Sequence, residues 1–251
     1  MTVMDEQALV WGLFTKDCYM TMVEQGDVGN VECLKAVGAK ALGYAMIAAS
    51  FAIKAPQIAK IVGSKSVVGL SPSAFYSETV AYIINAMYHI ARGSPLSAYG
   101  EVLTILVQNL VLVVLLWAYM TPQERPALAG RAFVIMGFAT IAVGCAALPP
   151  EYLHLLPLTN LPLILVARIP QILTIYQNGH TGQLAFITMA MNVAGTALRM
   201  LTTIQEVGWD KGLLIQYGTS LVFNGILFVQ ILYYWGATNK FVDSEDKKKV
   251  A

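Results

Sequence analysis

Two short stretches, Lys54-Ala55-Pro56-Gln57-Ile58 and Arg168-Ile169-Pro170-Gln171-Ile172, place a cation two residues ahead of a proline-glutamine pair inside otherwise apolar runs. In hydrocarbon a cation at the centre of a helix costs about 2.5 to 3.5 kcal/mol by insertion scales, so its recurrence asks for a reason. A proline inside a helix deletes a backbone hydrogen bond and frees a carbonyl, and broken helices are tolerated at membrane depth where they line a cavity. Pro56, Gln57, Pro170 and Gln171 therefore read as a matched pair of gates; the ordinary alternative is a kink whose freed carbonyl the glutamine satisfies. Glu78 and Arg199 also lie within apolar runs. Fixed cations suit an anion. Lys54 and Arg168 lie near enough to one membrane face to snorkel, Arg199 lies deeper, and Glu78 could instead neutralise Lys54 or Arg168 within the protein.

The elements that hold these residues must be membrane helices. Hydrophobic residues make up 57% of the 251 and charged residues only 12%, against about 25% charged in soluble domains. Seven apolar runs of the roughly 20 residues needed to cross the hydrocarbon are expected at about 37–59, 70–91, 99–119, 128–147, 155–176, 184–204 and 213–235. Unbroken apolar runs lack the alternation of a β-barrel. The N-terminal segment lacks the basic head and apolar core of a cleavable signal, and Ala8 to Phe14 could lie as a short helix at the membrane surface or equally belong to a partly ordered tail. With the N-terminus lumenal, Lys60, Lys65, Arg125, Arg131, Lys240, Lys247, Lys248 and Lys249 fall on the cytosolic side, and Lys16, Lys35, Lys40, Arg92 and Lys211 opposite. That is the bias of the positive-inside rule.

The chain repeats itself. Shifted by 114 positions without a gap, residues 41–91 set Lys54 on Arg168, Pro56 on Pro170, Gln57 on Gln171, Ile61 on Ile175, Leu70 on Leu184 and Glu78 on Asn192. The turns GSKSVVGLS and QNGHTGQLA superimpose, and one residue further on Asn109 meets Asn224. The expected fold is an all-α membrane protein of seven helices, two parallel three-helix repeats joined by a linker helix (3+1+3). The segments are a lumenal stretch 1–36, a first repeat 37–119, a linker helix 120–154, a second repeat 155–235 and a cytosolic tail 236–251.

A proline-glutamine pair in the first helix of each triplet, followed by a short polar turn, resembles the PQ-loop superfamily, which includes SWEET sugar carriers, cystinosin and the KDEL receptors. RIPQILTIYQNGHTGQL, LR four residues ahead of TIQE, and FNGILFVQ are similar to one branch, the mannose-P-dolichol utilization defect family of the endoplasmic reticulum. The resemblance implies a role in using dolichyl phosphate mannose and dolichyl phosphate glucose for glycan and glycosylphosphatidylinositol assembly. Lys54, Arg168 and Arg199 would then meet the phosphate, arginine by its planar fork and lysine as a point charge. Glu78, Gln108, Asn109, Asn192, Asn224 and Gln230 would address sugar hydroxyls; for the asparagines the alternative is interhelical hydrogen bonding. The lipid-linked sugar could be translocated or presented to dolichol-dependent glycosyltransferases, and a SWEET-like carrier of a small free sugar or other solute is the competing function.

Enzyme chemistry is not expected. His89, His154 and His180 are scattered over different segments, giving neither a metal cluster nor a nucleophile with its base, and no cofactor is implied. Cys18 and Cys33 precede the first span, where an oxidising lumen permits a disulfide; sequence spacing does not establish the contact. Cys145 is expected to pack as a small apolar residue. Lys248 and Lys249 match the dilysine signal that coat proteins read for retrieval to the reticulum, or they belong to an ordinary solvated charge run.

Overall fold

The computed structural model of the chain describes residues 10–67, 70–181 and 186–238. Helix α1 (Lys16–Tyr19) runs into a π-turn at Met20–Glu24, and seven longer helices follow: α2 (Val31–Ser64), α3 (Pro72–Arg92), α4 (Leu96–Tyr119), α5 (Leu128–Ala146), α6 (Leu161–Asn178), α7 (Phe186–Glu206) and α8 (Lys211–Tyr233). Among the described residues five stretches are long and apolar enough to cross a membrane: Val31–Ser64, Leu96–Tyr119, Leu128–Ala146, Pro150–Asn178 and Lys211–Tyr233. The two helices outside that group, α3 and α7, are the second of each repeat and carry Glu78, Asn192 and Arg199. The turns GSKSVVGLS and QNGHTGQLA fall partly outside the described residues.

Local chemistry sets the helix ends, and three of them differ from expectation. Helix α2 starts at Val31 rather than about 37, because the Asn30 side chain accepts from the Cys33 amide at 3.1 Å and so caps a free donor. It runs through Pro56 to Ser64 and stops where Lys65 turns left-handed, φ 50°. The expected run 155–176 becomes two 3₁₀ turns, Pro150–Leu155 and Pro157–Asn160, before α6 begins at Leu161. Pro157 lacks a backbone donor, so an α-helix running on from the first of these turns would lose a rung there, whereas Pro162 falls in the first turn of α6, where no donor is needed. Val10 to Phe14 is a turn closed by a bridge between its ends, with Trp11 at φ 54° and Gly12 at φ 74°. Two left-handed residues in a row cannot belong to the surface helix expected there.

Contacts divide the chain into two units. The first comprises Met1–Leu156 with Ile204–Gly208, the second Pro157–Thr203 with Trp209–Ala251. In the first, α2 and α3 both pack on α4, and α5 packs on α3; in the second, α6 packs on α8. The buried cores answer each other position by position. Ile61, Phe75, Leu112 and Leu116 pack in one cluster, and Ile175, Met189, Leu227 and Ile231 in another, the same positions displaced by 114 residues in the first two helices and 115 in the third. Equivalent burial is evidence for a structural repeat that the low sequence identity alone could not give.

In the first unit α2 and α4 approach closely at Gly43, where an added Cβ would stand 2.5 Å from the Ser97 carbonyl oxygen. Backbone cannot yield as a side chain does. Gly43→Ala is therefore expected to lower stability by about 1 to 3 kcal/mol, the usual range for overpacking, read as an earlier thermal unfolding of the purified protein in detergent.

The Cys18–Cys33 disulfide is formed, with 5.3 Å between the α-carbons. Cys145 is free and buried. Loss of a bridge typically costs about 2 to 5 kcal/mol in small secreted domains; this one closes a loop at one end of α2. Cys18→Ser with Cys33→Ser should thus cost less, seen as protease cleavage within residues 15–30 before the helices unfold.

Candidate functional site

In the first unit, four of the residues singled out by type and spacing come together. Lys54 is buried on α2, and its Nζ donates to Glu78 Oε2 on α3 at 2.6 Å. The same ammonium stands 5.6 Å from the centroid of the Phe75 ring, one helical turn before Glu78, within cation–π range. Two features of this pair are unequal: the Lys54 side chain is 11% exposed and that of Glu78 45%. The cation is fixed inside the protein and its counter-ion stands at the edge.

Gln108 on α4 lies across a rung of α2. Its Oε1 accepts from the Lys54 amide at 3.1 Å, while its Nε2 donates to the Ser50 carbonyl at 2.9 Å and to Thr104 O at 3.2 Å. Both amide hydrogens are thereby engaged with backbone, two residues ahead of Pro56. Asn109, fully buried, donates to Phe75 O at 3.0 Å and to Thr79 Oγ1 at 2.8 Å. It ties α4 to α3 directly behind the Lys54–Glu78 pair. Replacing Asn109 with Ala removes both bonds and leaves Thr79 Oγ1 without that donor; a loss of about 1 to 3 kcal/mol is expected, measured by thermal unfolding in lipid.

The second unit keeps the cation and changes its surroundings. Arg168 on α6 is half-buried, and its Nη1 donates to Gln171 Oε1 of the proline-glutamine pair at 3.2 Å. The place of Glu78 is taken by half-buried Asn192, whose carbonyl accepts from Thr196, and the place of Phe75 by Met189. Gln230 donates to Ile172 O at 3.1 Å, two residues past Pro170. Asn224 donates to Ser220 Oγ at 3.2 Å within its own helix. Arg199 is buried on α7, its carbonyl accepting from Thr202. Pro56 and Pro170 are both exposed, and Gln57 is half-buried.

Each first helix thus carries a cation just ahead of its proline, neutralised by a carboxylate in the first unit and faced by an amide in the second. Asn109, Asn224 and Gln230 also share a property. Each leaves its side-chain carbonyl oxygen buried with no hydrogen-bond partner among the described residues, and such oxygens ordinarily meet water or ligand. Sequence reasoning missed Phe75 and Thr79. Their signal is the helical spacing Phe75, Glu78, Thr79, three and four residues apart, which sets all three on one face of α3. Among the described residues no group of three or more His, Cys, Asp or Glu could hold a metal ion.

The PQ loop repeat family matches the chain twice, at residues 38–98 and 152–211. The first match spans the Lys54–Glu78 pair and the second spans Arg168, Asn192 and Arg199. Proteins built on this repeat are in general transporters or carriers rather than enzymes. With apolar helices long enough to cross a bilayer, equivalent residues buried in two units and the repeat matched in both, this chain is a multi-pass membrane protein that carries two matches to the PQ loop repeat.

Proposed function

We propose that this protein resides in the endoplasmic reticulum membrane and takes dolichyl phosphate mannose and dolichyl phosphate glucose as ligands, translocating them or presenting them to glycosyltransferases. N-glycans, O- and C-mannose linkages and glycosylphosphatidylinositol anchors would draw on these donors. In this reading all seven long helices cross the bilayer in a 3+1+3 order, with the N-terminus lumenal. The observation that carries it is the cation ahead of the proline in both repeats, half-buried Arg168 having only a neutral amide as its hydrogen-bond partner among the described residues. A neutral sugar does not need that charge, whereas a phosphodiester does. The likeness of the second repeat to the mannose-P-dolichol utilization branch supports the same donor.

The test is equilibrium binding to the purified protein in nanodiscs of dolichyl phosphate mannose, dolichyl phosphate, dolichol and free mannose. Binding should follow the phosphate: both phosphorylated lipids bind, dolichol binds far more weakly, and free mannose does not compete. Binding of free mannose without affinity for the phospholipid sugars would instead establish a SWEET-like carrier of a small solute.

Residence in the reticulum rests on Lys248 and Lys249, which lie outside the described residues. Changing both to serine should let the protein reach the Golgi; unchanged reticular imaging would show that retention has another source.

A further inference from the structure

The segment ahead of the first membrane helix has its own construction. Trp11, Phe14 and Tyr19 pack edge to face, with centroids 6.4 Å apart for Trp11 and Phe14, 5.7 Å for Trp11 and Tyr19, and 6.2 Å for Phe14 and Tyr19. Trp11 is 75% exposed and Met20 and Val23 are also exposed, so the aromatic group continues as an outward apolar face. Trp11 holds a left-handed backbone, φ 54°, an uncommon conformation for a bulky residue.

Two clamps fix this segment against α2. At one end Cys18 is joined to Cys33; at the other the Tyr44 hydroxyl donates to the Gly12 carbonyl at 3.1 Å. Gly12, at φ 74°, has Tyr44 Oη 3.7 Å from where a Cβ would stand, so the strand of chain lies close along the helix. Cys33 and Tyr44 are about 16 Å apart along the axis at 1.5 Å per residue, and the segment runs down α2 over that distance.

Where it arrives is set by the helix. At 34 residues, α2 is about 50 Å long, some 20 Å more than the hydrocarbon thickness. Of its exposed apolar side chains, Val31 and Leu34 are interleaved with the exposed charges Glu32 and Lys35, while Leu42, Phe51, Ile53 and Val62 follow them and mark the lipid-facing stretch. Exposed Glu32 and Lys35 lie before that stretch, and exposed Lys60 and Lys65 close its far end. From Leu42, the first of those apolar side chains, to Lys60 is about 27 Å, close to one hydrocarbon thickness, and Tyr44 lies within a turn of its near end. Tyr44, and Gly12 beside it, therefore stand at the boundary between acyl chains and headgroups.

We infer that Trp11, Phe14 and Tyr19 form a lipid-binding cap that folds down the protruding end of α2 and inserts at the headgroup level, with the disulfide and Tyr44 holding it there. The partner is the bilayer surface itself. Tryptophan and tyrosine suit that level because each pairs an apolar ring with a polar atom, and the cost of the left-handed Trp11 backbone is offset by rings presented to lipid rather than to water.

The test uses the full chain, labelled with 5-fluorotryptophan, in nanodiscs. Its four tryptophans give four fluorine resonances, and Trp11→Phe identifies one by its loss. A nitroxide on the lipid headgroup should broaden the Trp11 resonance beyond detection, while a nitroxide at the acyl-chain end or a soluble gadolinium chelate should leave it visible. Tyr44→Phe, which removes the lower clamp with little threat to folding, should restore the resonance in headgroup-labelled lipid. Cys18→Ser with Cys33→Ser should do the same where that protein folds. Broadening chiefly by the soluble chelate would show Trp11 in water, and insensitivity to all three agents would show it covered by protein; either result overturns the inference.

Discussion

Lys54→Gln and Arg168→Gln proteins are expected to fold, reach the reticulum and bind dolichyl phosphate mannose about ten- to a hundredfold more weakly than wild type, since a hydrogen bond to a charged group contributes roughly 1.5 to 3 kcal/mol. Arg168 should show the larger loss. Lys54 already shares its charge with Glu78 at 2.6 Å, whereas Arg168 engages the neutral Gln171 amide, so more of its electrostatic capacity is unspent. Cells carrying either variant should fail to use dolichol-linked mannose and glucose while keeping normal amounts of the protein. The deciding measurement is the affinity in nanodiscs. Equal affinities across wild type and both variants would leave the two residues as snorkelling cations and remove the phosphate from the account.

Glu78→Gln should act in the opposite direction. In the structure described, Glu78 sits where an incoming anion would have to bind Lys54, and at 45% side-chain exposure against 11% for Lys54 it is the partner able to leave. Removing its charge has two consequences. The empty protein loses stability because a buried ammonium is left without its counter-ion, a loss moderated by the solvent that reaches Glu78. The affinity for dolichyl phosphate mannose rises by about tenfold, the equivalent of 1.4 kcal/mol, because no internal carboxylate now competes. Ligand should therefore raise the unfolding temperature of Glu78→Gln by more than it raises that of wild type. A fall in affinity would place Glu78 among the groups that hold the sugar hydroxyls, and the double variant with Lys54→Gln separates the cases: competition predicts that it binds like Lys54→Gln alone.

The apolar runs of the sequence coincide with the seven long helices, five of them within stretches apolar enough among the described residues to cross a bilayer, because length and composition are properties of the chain by itself. Proline and capping chemistry decided their ends, which is why α2 reaches back to Val31 and α6 waits until Leu161. The matched cations and the proline-glutamine pairs were visible as a repeat. Their partners were not all visible. In water the packed face of a helix is apolar and the other polar, so periodicity shows which way it turns; in lipid both faces are apolar, and the rotation of α4 about its axis leaves little mark on the sequence. That rotation is what sends Gln108 to the α2 backbone and Asn109 to α3. Adjacent residues, both read as sugar ligands from their type, turn out to serve two different helices. The pairing of Lys54 with Glu78 stood among the alternatives because opposite charges in apolar runs seek each other, but only the fold distinguishes it from a pairing with Arg168.

The position of Gln108 carries a mechanical meaning. A helix ladder is stiff because each rung is closed by groups of the same strand, yet the Ser50–Lys54 rung is bridged by an amide belonging to another helix. Just beyond it Pro56 can close no rung of its own. The rung that α4 holds and the rung that Pro56 leaves open lie within a turn and a half of each other, so the bend at Pro56 has a pin seated in α4. Any displacement of α4 along its axis would draw that pin, soften α2 beside Lys54, and so translate a sliding motion in one helix into a bending motion in its neighbour.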